Sequence, residues 1–175
     1  MNVPEPRIPG PFTPEQAADF VSIQQRIFFY GWCIDHRRFE DLDALFLPES
    51  TVHYDTPGGT KGSWPEIRAW LAPALQIFRA TEHNMNNTMI AFEGADAATT
   101  TTYGHLIHFQ EKTDGSINLF RHSSIYRDRW VKREGAWRIL ERTLSNLGED
   151  GPVFFGDDVV AYPKPEPVQW VSSAN

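Results

Sequence analysis

Cysteine occurs once in 175 residues, so the chain cannot form an internal disulfide. Its one thiol, Cys33, sits in an apolar helical pattern and reads as a small buried hydrophobe rather than a nucleophile. No apolar run approaches the length of a membrane span, and the first eleven residues, polar and proline-rich, contain no apolar signal core. Positive charge is in deficit: 16 Lys and Arg against 23 Asp and Glu give a formal charge of -7. The basic residues are scattered and form no footprint for a phosphate backbone, which argues against nucleic acid as a partner. No glycine-rich phosphate loop or dinucleotide fingerprint follows a predicted strand, and no spaced Cys, His and Glu set for zinc or non-haem iron is present. These absences predict a soluble, cytoplasmic protein whose chemistry uses neither cofactor nor metal. The length fits one domain with one core.

What is present centres on the stretch from Tyr30 to Pro48. Phe20, Ile23, Ile27, Tyr30 and Ile34 step by three and four as one helical stripe, and Val21, Phe28 and Trp32 form an adjoining stripe that runs onto Asp35. A carboxylate where a core residue belongs needs a donor or a base, because an unpaired buried carboxylate would protonate instead. Six histidines are available. A cap or a salt bridge to Arg37 or Arg38 is the alternative fate for Asp35.

In chain order, prolines at 4, 6, 9 and 11 predict an extended arm over 1–13. Thr13, Pro14 and Gln16 then form a capping box with proline at the first helical position, opening a helix of about 22 residues. Phe39, Leu42, Leu45 and Phe46 predict a short second helix stopped by Pro48. Residues 51–54 are rich in β-formers, and Pro57, Gly58 and Gly59 turn the chain. Ser63 and Glu66 box a third helix whose apolar side is Ile67, Trp70, Leu71, Leu75 and Phe78, with a kink expected at Pro73.

Turn signals at 93–96, 114–115 and 134–135 then divide four strands, 82–92, 97–112, 117–133 and 136–146. Helices followed by a meander predict an α+β domain over 14–147, three N-terminal helices on a curved, largely antiparallel sheet that encloses a pocket. The tail over 148–175, with Phe154, Phe155, Tyr162 and Trp170, is expected to close the pocket or dock on a partner subunit. His83 opens an amphipathic strand, with Met85, Asn87 and Met89 expected on its face. If Asp35 accepts one imidazole proton of His83, it fixes the tautomer and raises the basicity of the other nitrogen. His105 and His108 are three apart on a strand and point to opposite faces, so they cannot share a metal. His36, His53 and His122 are expected at the surface or in ordinary hydrogen bonds.

This order of elements and the Asp35 stretch resemble the SnoaL-like branch of the nuclear transport factor 2-like superfamily, with its cone-shaped cystatin-like fold, and most closely scytalone dehydratase. Asp35 lies thirteen residues before Pro48 and nineteen before Tyr54, the spacing of that family's catalytic aspartate, a proline and a water-activating tyrosine. Thr81, Glu82 and His83 are similar to the start of the strand with its catalytic histidine. His108, twenty-five residues on, falls at a second active-site histidine, and anchoring on Trp137 puts Ser124 at a matching serine. A second polarising tyrosine of the family would fall at Ile34 and an asparagine at Tyr126, departures that argue against scytalone itself as substrate.

The resemblance implies a lyase with His83, Asp35, Tyr54 and His108 as catalytic residues and Tyr30, Met85, Asn87, Ser124 and Tyr126 around a small aromatic substrate. The leaving group is water, or a small aldehyde released by a retro-aldol route, as in SnoaL-like relatives that act on lignin-derived aromatic dimers. It also implies a homo-oligomer, with a trimer favoured. Apolar residues on both faces of the long strands, such as Ile125 beside Tyr126, agree with a covered outer face. The same stretch resembles the non-catalytic small subunit of ring-hydroxylating dioxygenases, and a plain ligand-binding module is the third reading.

Overall fold

A computed structural model describes residues 10–163. Most of the expected N-terminal arm, and Trp170 in the tail, lie outside the described residues. Helix α1 runs Pro14–Asp35 and starts on the expected capping box: the Thr13 hydroxyl accepts from the Gln16 amide, and the Gln16 side chain accepts from the Thr13 amide. Such a cap contributes about 1 kcal/mol. Ile23, Ile27, Tyr30 and Ile34 are buried. Val21, Phe28 and Trp32, expected to adjoin that stripe in the core, are exposed instead, at 55%, 42% and 42%. The helix lies against the sheet through one face only, chiefly along β3 (Ala80–Phe92).

The second predicted helix is a single 3-10 helix, Phe39–Ala44. The three-residue spacing of Phe39, Leu42 and Leu45 fits three residues per turn. Phe46 already belongs to strand β1, Phe46–Asp55, so Pro48 lies inside a strand rather than ending a helix. It is tolerated where the pairing with the neighbouring strand is irregular, between Phe46 and Thr51. There the Ser50 hydroxyl takes over the bonding, accepting from the Leu47 amide and donating to the Ile139 carbonyl. Strand β2, Lys61–Ser63, leads into α2, Trp64–Leu75, on the expected Ser63 and Glu66 box. Pro73 stands in its last turn, and the helix stops two residues later. Phe78, placed on this helix by periodicity, is buried from the turn beyond it.

Strands β4 (Ala97–Glu111), β5 (Ile117–Arg133) and β6 (Ala136–Asp150) complete a six-stranded sheet of order β2-β1-β6-β5-β4-β3. Neighbours are antiparallel except β1 and β6, which run parallel. Two α-helices and the 3-10 helix thus precede the meander, but β1 and β2 are threaded between them rather than following three consecutive helices. The concave face holds the core, including Trp130, Trp137 and Ile139. The outer face mixes Tyr103, Ile107 and Ile125 with His105, Arg127 and Arg129. Strand β6 passes the predicted domain end at 147, and the tail continues along the cavity to Tyr162, whose amide donates to the Gln76 carbonyl. Among the described residues no helix is long and apolar enough to cross a membrane.

Candidate active site

Asp35 is the last residue of α1, where the helix dipole is unfavourable to a carboxylate and no basic residue occupies the final turn. Three donors compensate. The Thr81 hydroxyl donates to Oδ1 at 2.9 Å, the His83 amide to Oδ2 at 2.9 Å, and His83 Nδ1 lies 2.6 Å from Oδ1. With Nδ1 given to the carboxylate, Nε2 is the imidazole nitrogen left for a molecule in the cavity that His83 lines. The His83 side chain is 6% exposed and that of Asp35 is 20% exposed.

Arg37, a candidate ion-pair partner on sequence grounds, supports Asp35 at one remove. It takes the left-handed conformation that ends α1, at φ 56°. Its guanidinium donates to the carbonyls of Ile34, Leu75 and Phe78 and to the Thr81 hydroxyl, tying the ends of α1 and α2 to β3. Burial lowers its pKa to about 10, with the Asp35 charge opposing. Arg38 pairs with Asp41 instead. A hydrogen-bond chain therefore runs from Arg37 through Thr81 to Asp35.

His83 opens onto a largely apolar cavity of about 670 Å³ enclosed by α1, α2, the sheet and the tail. Of the residues expected around it, Tyr30, Tyr54, His83, His108 and Tyr126 line it. Met85, Asn87 and Ser124 do not. Met85 is buried against α1, where its side chain nearly meets Gly31. Asn87 is exposed because β3 bulges there: Asn87 adopts φ 43°, and the register with β4 shifts between Asn86 and Met89. The extra residue turns Thr88 inward, its hydroxyl 3.0 Å from that of Thr102, and sends Met89 to the surface at 38% exposure. Ser124 is fully buried behind the wall, its hydroxyl 2.9 Å from His122 Nδ1.

His122, read from the sequence as peripheral, lines the cavity and stacks on His108, with ring centroids 5.3 Å apart. Burial, then the nearby His83, depresses its pKa to about 4; the same causes with His122 added take His108 to about 2. Both are therefore neutral near pH 7. The His108 ring packs on Phe78 at 4.6 Å, and its Nδ1 has no hydrogen-bond partner among the described residues. His105 is exposed on the other face, as its offset from His108 requires. Among the described residues no group of three or more His, Cys, Asp and Glu is arranged to hold a metal ion.

Tyr30 and Tyr54 meet hydroxyl to hydroxyl at 3.0 Å, and beneath them lies an ion pair that sequence reading passed over. Asp128 and Arg142 face each other in register across β5 and β6, bonded through Nε and Nη2 at 2.7 Å each, with both side chains wholly buried. At the mouth, a bulge in β6 at the exposed Leu147 brings Asn146 and Glu149 to one wall although they are three apart. The tail is held by the fully buried Gln110, which donates to the Phe154 carbonyl and accepts from its amide, so that Pro152, Val153 and Phe155 border the opening.

A curled α+β sheet with a histidine-bearing cavity under its helices defines a pocket protein of the nuclear transport factor 2-like superfamily. The SnoaL-like domain matches residues 15–143, and the chain belongs to that family. An uncharacterized protein of Mycobacterium tuberculosis is 32% identical over 127 residues, which cover 73% of this chain and 84% of that protein. The fold is shared with a provisionally named scytalone dehydratase from Novosphingobium aromaticivorans (TM-score 0.71, 21% identity, 90% of this chain and 98% of that one). It is shared also with a hexachlorocyclohexane dehydrochlorinase, LinA (TM-score 0.66, 15% identity, 81% and 93%).

Proposed function

We propose that the protein is a cofactor-free lyase acting on an aromatic, hydroxylated small molecule, with His83 as general base and Asp35 as its orienting partner. The observation that carries this reading is the 2.6 Å contact between Asp35 Oδ1 and His83 Nδ1 at the wall of a mostly apolar cavity. The carboxylate fixes the tautomer, holds the ring and stabilises the imidazolium that forms on proton transfer. His83 Nε2 takes a proton from carbon, the electron pair left behind forms the new double bond, and the departing hydroxyl leaves as water with that proton. Tyr54 and His108 hold and polarise the substrate oxygen. A second outcome uses the same base: removal of the proton of a hydroxymethyl group breaks the adjacent carbon–carbon bond, releases a small aldehyde and leaves a carbanion to be protonated. The two structural relatives are named for eliminations, which favours the first outcome. The active form is proposed to be a homo-oligomer, most simply a trimer.

The test is a panel of aryl carbinols and hydroxymethyl aryl compounds incubated with the chain alone, with chromatography for dehydrated product and a trapping reagent for aldehyde. His83→Ala is expected to lower turnover by roughly 100- to 10,000-fold while preserving the fold. Full activity in that variant would remove the general-base reading. A chain that turns over nothing alone but gains function with a large partner would favour the non-catalytic subunit.

A further inference from the structure

We infer that His122 is a second substrate-binding group of the cavity, an N–H donor fixed by Ser124 that takes an uncharged carbonyl oxygen of the substrate on the side of the cavity opening. The substrate class is thereby narrowed to hydroxylated aromatic molecules that also carry a neutral carbonyl, with aromatic carboxylates excluded. The inference rests on the proposed function in taking this cavity as the place where substrate binds.

The donor is set by a single proton. Ser124 is fully buried, and its hydroxyl makes one hydrogen bond among the described residues, 2.9 Å to His122 Nδ1. Were Nδ1 the protonated nitrogen, it would donate to the serine oxygen and leave the hydroxyl proton in the interior with no acceptor, the costly way to bury a polar group. Ser124 therefore donates to Nδ1, and the neutral ring carries its proton on Nε2. Burial keeps that ring neutral, with its pKa depressed to about 4. Nε2 has no partner among the described residues, and His122 lines the cavity, so a ligand is the acceptor left to it.

The place of this donor sets it apart from the base. His83, His108 and His122 stand on β3, β4 and β5, with His108 between the other two at ring-centroid distances of 5.8 and 5.3 Å. Along β5 the inward positions step from His122 through Ser124 to Tyr126, which puts Tyr126 on the order of 13 Å further along the strand. Across the sheet His122 is in register with Glu149 of β6, at the mouth. The His122 ring lies nearly parallel to those of His108 and Phe120, at 21° and 23°, and this packing holds the donor in one orientation. A group held that way gives up little side-chain freedom on binding. Charge then selects the acceptor. Among the described residues no lysine or arginine lines the cavity, and Glu149 is the acid at its mouth. A carboxylate would leave water for a largely apolar cavity with no cation to meet it and would pass a like charge on entry. An uncharged carbonyl loses far less on leaving water, and it offers two lone pairs with no proton of its own to oppose the N–H.

Benzophenone and diphenylmethane test the donor without any turnover, because they differ only in a carbonyl in place of a methylene and neither has a hydroxyl to eliminate. The wild-type protein is expected to bind benzophenone about tenfold more tightly than diphenylmethane, the worth of one buried hydrogen bond. Near neutral pH it should also bind benzophenone at least about tenfold more tightly than para-benzoylbenzoate. In His122→Phe, with folding checked by circular dichroism, benzophenone and diphenylmethane should bind within about twofold of each other. His122→Gln sets an amide N–H near the position of Nε2 and should restore most of the preference. Ring-nitrogen shifts in NMR should show His122 protonated on Nε2 and bare at Nδ1, with the Nε2 proton moving downfield as benzophenone is added. A proton on Nδ1, no binding of benzophenone, no preference for it over diphenylmethane, a preference kept in His122→Phe, or a glutamine variant no better than the phenylalanine one overturns the inference. Tighter binding of the benzoate than of benzophenone overturns its limit to uncharged ligands. The tautomer and the wild-type comparison decide the matter even where His122→Phe does not fold. Because neither benzophenone nor diphenylmethane carries a leaving hydroxyl, these outcomes are independent of whether His83→Ala loses turnover.

Discussion

Asp35→Asn changes one oxygen to an NH2 group and is the sharpest perturbation of the site. The carboxylate accepts three hydrogen bonds, from the Thr81 hydroxyl, the His83 amide and His83 Nδ1. An asparagine has one acceptor oxygen. If that oxygen serves Thr81 and the imidazole, its NH2 opposes the His83 amide, donor against donor; if it serves the amide, the NH2 faces Nδ1 and the ring must move its proton to Nε2. Losing a hydrogen bond to a charged group costs about 1.5–3 kcal/mol, and an unsatisfied buried amide adds about 1–3 kcal/mol. Relief of a carboxylate at a helix C-terminus returns about 0.3–1 kcal/mol. The net loss is then about 1.5–6 kcal/mol, a fall in Tm of roughly 3–24 °C for a chain of this size. Thermal and urea unfolding measure the stability, and the nitrogen shifts of the His83 ring in NMR report the tautomer. Turnover should fall nearly as far as in His83→Ala, with no further loss in the double variant, because the two residues act as one unit. Stability within about 1 kcal/mol of wild type, with the His83 proton still on Nδ1, would refute this account of the carboxylate.

Acid should destabilise the fold through His108 and His122. Their folded pKa values of about 2 and about 4 lie below the unfolded value near 6.5, so the stability tied to their neutral forms is fully present above about pH 6.5. It is lost as pH falls from there, toward about 4 for His122 and about 2 for His108, at up to about 1.4 kcal/mol per pH unit for each. Urea midpoints that do not drop between pH 6.5 and 4.5, relative to a His122→Asn variant, would count against it. Gly31→Ala probes the contact between α1 and β3, because a Cβ there would lie 3.0 Å from the His83 carbonyl oxygen and 3.2 Å from its Cβ. Helix propensity favours alanine by about 1 kcal/mol, so stability should change little, while displacement of His83 from Asp35 should lower turnover about tenfold. Turnover equal to wild type would show that the close packing at Gly31 does not position His83.

Part of the site was legible because its signals are local. Asp35 interrupts an apolar helical pattern and His83 opens an alternating strand, and each stands out against its own neighbours. Met85, Asn87 and Met89 were placed on one face by the same alternation, which holds only to the bulge at Asn87. A bulge is set by pairing with the neighbouring strand, and neither asparagine nor its flanks mark it in sequence. His122 carried no signal either: its inward face follows from the register of β5 against β4, where it pairs with Leu106.

The amino-acid sequence by itself determined the elements whose causes lie within a few residues. The Thr13 and Ser63 capping boxes start α1 and α2, the Gly-containing turns divide the meander, and the Ile23 to Ile34 stripe chooses the buried face of α1. Only the tertiary structure decided what depends on distant partners. Val21, Phe28 and Trp32 are apolar enough for a core but face outward, because a helix on one sheet buries one side. Arg142 and Asp128, fourteen residues apart, become partners only because the β5–β6 register sets them opposite each other inside the protein. A buried charge is stable only with its partner in place, so although Asp128 stands at an inward position between Tyr126 and Trp130, its pairing with Arg142 beneath Tyr30 exists only by virtue of the fold.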